Sequence, residues 1–160
     1  AMRSAWMIKD YQEIVAVASG LLAESKLTPE LKNEAYYYRA KALLAEGQSK
    51  EAVNDLSVLS KDTRNVYGAE AKYLLAQLYF DAGQTDKAEK EVLDYIEVST
   101  PHAYWLARSF VLLSDVYMKL GRNLDAKQYL LSLQQNYQAD DDIAGMIETR
   151  LAKLNKGSKQ

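Results

Sequence analysis

The stretch Phe110-Val111-Leu112-Leu113-Ser114-Asp115-Val116-Tyr117, followed by Gly121, Ala126 and Leu130, decides the fold of this chain. Phe110, Leu113 and Tyr117 recur at spacings of three and four, so they share one face of a helix. Gly121 can take the left-handed conformation that ends such a helix. Ala126 and Leu130, four residues apart, then open the apolar face of a second helix.

The pattern recurs upstream. Gly47, Gly83 and Gly121 are 36 and 38 residues apart, and each has an alanine five residues later, at Ala52, Ala88 and Ala126. Four residues beyond each alanine comes Leu56, Val92 or Leu130, and four before each glycine stands Leu43, Tyr79 or Tyr117. Eight before the glycines are Arg39, Leu75 and Leu113, so the first unit places a cation where the others place leucine. Ala40, Ala76 and Ser114 are small residues that allow one helix to approach the next. A partial unit precedes these, with Lys9-Asp10-Tyr11 at the turn and Ile14 in the alanine position.

This ordered set resembles the tetratricopeptide repeat. The match is fullest in the unit of Phe110 and Gly121. The preceding unit has Lys72 in place of an aromatic residue, and the first departs at Arg39 and Leu43. The resemblance implies an all-α fold, a right-handed α-α superhelix of antiparallel helix pairs. It places a single domain over residues 1–155: a partial unit over about 6–27, units over about 29–64, 66–100 and 101–137, and a capping helix over 140–154. Residues 156–160 are expected to be a flexible tail. Thr28-Pro29 and Thr100-Pro101 each set a capping hydroxyl before a proline suited to a first helical position. Helices are therefore expected over about 10–24, 29–46, 49–60, 66–82, 85–98, 101–120, 123–136 and 140–154. Ile143, Met146, Ile147, Leu151 and Leu154 give the last of these one apolar face, able to cover the end of the repeat array.

Composition narrows the function. The 160 residues, 48% hydrophobic, suffice for one continuous core, and a net charge of −2 gives no electrostatic drive toward nucleic acid. With no cysteine there is neither a thiolate nucleophile nor a thiolate metal site. No apolar run approaches the roughly 20 residues that span a bilayer. The opening residues are too short an apolar segment for a signal peptide, and because they fall inside a repeat the chain is expected to be a piece of a longer protein.

Nor does a catalytic set emerge. The single histidine, His102, reads as a first-turn surface residue, and no second histidine completes a metal or acid–base pair. Asp140-Asp141-Asp142 lacks the alternating ligands and turn glycine of a calcium loop; acids at that place suit the positive end of a helix. No phosphate loop or nucleophile elbow occurs. No cofactor, metal or enzymatic activity is expected.

In the family resembled, the first helix of each pair lines a concave groove that takes a partner segment. By register this implies Glu34, Tyr37 and Lys41, then Glu70, Tyr73 and Gln77, then Arg108, Val111 and Asp115 as groove positions, with Tyr37 and Tyr73 one above the other. Tyrosine suits recognition through its large area and polar tip. The Lys, Asn and Arg set with which some co-chaperones of the family hold a terminal carboxylate is absent. The expectation is a protein–protein interaction module with a protein or peptide partner. An architectural or self-associating segment is the alternative, and glycan stacking on Tyr104 or Trp105 a weaker one. Units of 36–38 residues and the stretch from His102 to Arg108 resemble bacterial cell-envelope repeat proteins, a lean toward the periplasm or envelope.

Overall fold

In the computed structural model, residues 1–98 and 100–158 are described, Ser158 by its backbone alone. Among them are nine helices and no strand: α1 (Met2–Met7), α2 (Tyr11–Leu22), α3 (Pro29–Ala45), α4 (Ser49–Leu59), α5 (Val66–Asp81), α6 (Thr85–Glu97), α7 (Ala103–Lys119), α8 (Asn123–Asn136) and α9 (Ile143–Ser158). The chain divides into two compact units, Ala1–Leu75 and Ala76–Gln160.

The regular glycines make the turns. Gly47, Gly83 and Gly121 take φ of 77°, 78° and 78°. After each, the next residue donates its N–H to the carbonyl four before the glycine: Gln48 to Leu43, Gln84 to Tyr79 and Arg122 to Tyr117, all at 2.8 Å. The glycines themselves donate to Leu44, Phe80 and Met118 at 3.1, 3.0 and 3.1 Å. This pair of bonds satisfies the last carbonyls of the first helix and turns the chain into the second.

A fourth turn of the same form lies at Lys9, with φ of 59°, where Asp10 donates to Ala5 at 2.8 Å and Lys9 to Trp6 at 3.1 Å. It joins α1 to α2, and the Asp10 carboxylate accepts from the Glu13 N–H to cap α2. A β-carbon in the left-handed region costs roughly 1 kcal/mol. Lys9→Gly is therefore expected to raise the unfolding free energy by about 1 kcal/mol, read as a higher midpoint in urea; an unchanged or lower midpoint would show that the turn bears no such strain.

In the first unit α1 packs on α2 and α3, α2 on α3, and α3 on α4. Ile14, Ala18, Ala35, Ala40, Ala52 and Leu56 are fully buried there. Met2, Ala18 and Ala35 form one cluster; Ala5, Ile14 and Ala42 form another, with Trp6, Tyr11 and Tyr38 packed around it. In the second unit α6 packs on α7, α7 on α8 and α9, and α8 on α9. Ala88, Leu113, Ser114, Ala126 and Leu130 are fully buried there. The small positions of the repeat thus carry helix against helix, as their spacing predicts.

Three local readings change. The helix expected from Pro101 begins at Ala103, because the Thr100 hydroxyl accepts from the His102 N–H at 3.1 Å and holds the chain in a turn first. By contrast Thr28 caps α3 as expected, accepting from Leu31 at 3.2 Å with Pro29 next to it. The last helix starts at Ile143, whose N–H is taken by the Asp141 carboxylate at 2.9 Å, and it runs on to Ser158 where a flexible tail was expected. Gly157 does not take the left-handed conformation that stops the earlier helices. The remainder of the expected tail, residues 159–160, lies outside the described residues.

Candidate functional site

The expected groove positions of the first unit form a tight internal network on α3 and α5. Tyr37 donates its hydroxyl to Glu70 at 3.0 Å, and the Lys41 ammonium meets the other oxygen of the same carboxylate at 2.8 Å. Glu70 is buried, so both of its oxygens are engaged where an unpaired charge would be costly. Burial first, and then the negative charge of Glu70, pushes the Tyr37 hydroxyl far above its ordinary pKa. The Tyr37 ring stacks on Tyr67 at 4.4 Å between centroids. Glu34 accepts from the largely exposed Arg3 at 3.2 Å. Tyr73, expected in the groove, is only 6% exposed. It is a core side chain.

The same correction holds for Val111 in the second unit, only 3% exposed on α7. Gln77 is half-buried and donates to Asp81 at 2.8 Å, one helical turn on. Arg108 donates to the Tyr104 hydroxyl at 3.0 Å, and that hydroxyl donates to Asp142 at 2.9 Å. Tyr104, offered by the sequence as a stacking surface for sugars, is therefore tied by its polar tip to the start of α9. Asp115 is held by Arg150 of α9 through two parallel bonds, Nε to Oδ1 at 2.8 Å and Nη2 to Oδ2 at 3.0 Å. Arg150 also donates to the Met146 carbonyl at 3.1 Å, which fixes the guanidinium.

Beside this ion pair the second unit has an open cavity of about 690 Å³ between α7 and α9. Phe80, Met118 and Leu154 supply apolar walls; Asp115, Lys119, Arg150 and Lys153 supply charge; Asn123, Thr149 and Gly157 lie at its border. Lys119 and Lys153 are exposed, and among the described residues neither is in an ion pair. The Lys119 ammonium lies 5.3 Å from the Phe80 ring centre. A cavity of this size and mixed lining can hold several side chains of a partner. Of the expected groove positions only Asp115 borders it. Sequence reading passed over Lys119, Arg150 and Lys153, although two cations one turn apart on the apolar-faced last helix were a visible signal.

A second hollow of about 380 Å³ lies by α7 and α8, lined by Phe110, Tyr117 and Tyr129 with Arg122 and Asp125. Its charges are already matched: Arg122 lies 4.3 Å over the Tyr117 ring and bonds Asp125 at 2.8 Å. Burial, followed by the charge of Glu89, pushes Tyr117 up to about 12.

Among the described residues no group of three or more histidine, aspartate or glutamate side chains is placed to hold a metal, and no helix is long and apolar enough to cross a membrane. The family model described as tetratricopeptide repeat matches residues 69–100 and 107–136, two units of the chain. No curated protein and no solved structure gives a match. The chain is an all-α helical-repeat protein whose matched units support a tetratricopeptide relationship.

Proposed function

We propose that this chain is a protein–protein interaction module that takes a partner segment on the inner faces of its first-of-pair helices. Repeats of the kind matched here generally mediate protein–protein interaction and are typically non-enzymatic scaffolds. The observation that supports this reading most directly is the open cavity between α7 and α9, with the ammonium groups of Lys119 and Lys153, neither in an ion pair among the described residues, at its edge. Rigid helices hold it, and the Arg150–Asp115 pair clamps its two sides together, so little need be ordered when a partner arrives. In the first unit the corresponding surface is occupied by its own Tyr37–Glu70–Lys41 network, which argues for a supporting role there.

Site-specific photocrosslinking tests the reading. A photoreactive residue at Thr149 or Asn123, both exposed at the cavity border, is expected to trap a defined partner from the source cell extract. The same group at Gln134, exposed on α8, is expected to trap none. Equal adducts from all three positions, or none from any, would refute the proposed surface. Sedimentation over a range of concentrations addresses the architectural reading: self-association with no adduct at the cavity would favour that alternative.

A further inference from the structure

We propose that the α7–α9 cavity selects an internal, acidic-and-apolar partner segment, seating a large apolar side chain against Phe80, Met118 and Leu154 with glutamate or aspartate side chains on Lys119 and Lys153. This rests on the protein-binding reading and specifies the partner's chemistry. Three observations carry it.

The first is charge. The chain as a whole is slightly acidic, with a net charge of −2, yet the charges lining this cavity are three cations against one carboxylate. Arg150 and Asp115 satisfy each other through two bonds, so the uncompensated charge is that of Lys119 and Lys153. Neither lysine is in an ion pair among the described residues, and both are exposed, so binding a carboxylate breaks no internal salt bridge. A partner cation would meet two like charges instead.

The second is the surface beside those charges. Phe80 and Met118 are half-buried, so apolar area remains open to the cavity beside the buried Leu154. Covering it releases water, while the neighbouring lysines can lay their methylene stems along an incoming apolar side chain. Phe80 already has the Lys119 ammonium at 5.3 Å from its ring centre, which holds that charge next to the apolar wall.

The third is size. A cavity of about 690 Å³ exceeds the needs of a single carboxylate, and the Lys119 and Lys153 ammonium groups come from different helices, the end of α7 and the middle of α9. Two separated point charges with apolar lining fit a segment that passes through the cavity better than a chain end that offers one carboxylate.

Fluorescence anisotropy with the full chain and labelled, terminally blocked peptides tests the inference. Glutamates alternating with leucine and phenylalanine are expected to bind about tenfold or more tightly than the same peptide with lysine or glutamine replacing glutamate. Added salt should weaken the acidic peptide selectively. The Lys119→Glu/Lys153→Glu variant should lose at least about tenfold in affinity while the chain stays folded, with only a small fall in the thermal unfolding midpoint from losing the cation in the last turn of α7. Met118→Ser should weaken all the peptides together.

Equal binding of acidic and basic peptides, or an acidic peptide indifferent to the charge reversal, overturns the inference. So does an unblocked glutamine peptide that binds as well through its terminal carboxylate. Self-association abolished by the same charge reversal would show that a second copy is the occupant. If crosslinking at Thr149 yields a partner while no acidic peptide binds, only this inference fails and the protein-binding reading stands.

Discussion

Asp55→Ala is expected to lower the unfolding free energy by about 3 kcal/mol, while replacing Asp55 and Arg39 together by leucine is expected to cost little or to stabilise. The Asp55 side chain is 4% exposed, and it accepts from Arg39 Nη2 at 2.6 Å and Nε at 2.7 Å. Two charge-assisted bonds in this fork geometry hold α3 against α4. Removing the carboxylate leaves a guanidinium whose remaining partners among the described residues are the Ser19 hydroxyl, at 3.1 Å, and the Tyr36 ring, 5.9 Å away. Breaking a buried pair from one side costs roughly 3–5 kcal/mol. The low end applies because the Arg39 side chain keeps 24% of its surface in water. Removing both charges is different: their desolvation cost disappears with their attraction. Urea unfolding of the wild type, the single variant and the double variant checks both halves. A single variant within about 1 kcal/mol of wild type would show the pair to be structurally idle. A double variant as weak as the single one would show that the ions contribute net stability.

Arg39 also shows how far the sequence could be followed. The repeat spacing called for leucine at this position, and the departure was plain on inspection. Its meaning was not, because the compensating acid, Asp55, lies sixteen residues away on the next helix. The glycine turns were legible because a left-handed residue is a local requirement. The Lys9 turn was harder to read, since α1 has only six residues, too few to display a period. The groove was less legible still. Register assigns a residue to a helix face, but it does not say what covers that face. Tyr73 and Val111 therefore read as surface and are core. Glu70, Lys41 and Asp115 read as groove positions and are bonded to partners 29 to 35 residues away. The cavity itself depends on α9 lying beside α7, which no spacing within either helix discloses.

Gly68→Ala is expected to destabilise the protein by about 2 kcal/mol even though alanine is the better helix former. In the middle of an exposed helix the exchange would be worth about 1 kcal/mol in alanine's favour. Here the link after α4 runs back over the first turn of α5. Asp62 donates its N–H to Leu59 at 3.2 Å and its carbonyl accepts from Asn65 at 3.3 Å, while the Asn65 side chain takes the Tyr67 N–H at 2.8 Å. That arrangement lays two backbone carbonyls on Gly68: a β-carbon there would stand 2.5 Å from the Leu59 oxygen and closer still to that of Asp62. Neither atom is the end of a flexible side chain, so the link or the helix must move, and overpacking of this kind costs roughly 1–3 kcal/mol, of which the propensity gain offsets about 1 kcal/mol. Gly20 in α2 has nothing within 4 Å of the same added carbon and supplies the opposite sign: Gly20→Ala should stabilise by up to about 1 kcal/mol. Chemical unfolding of the two variants side by side separates close approach from helix propensity. Should Gly68→Ala prove neutral or stabilising, the contact between the link and α5 is looser than the geometry requires, and the glycine is there for no steric reason.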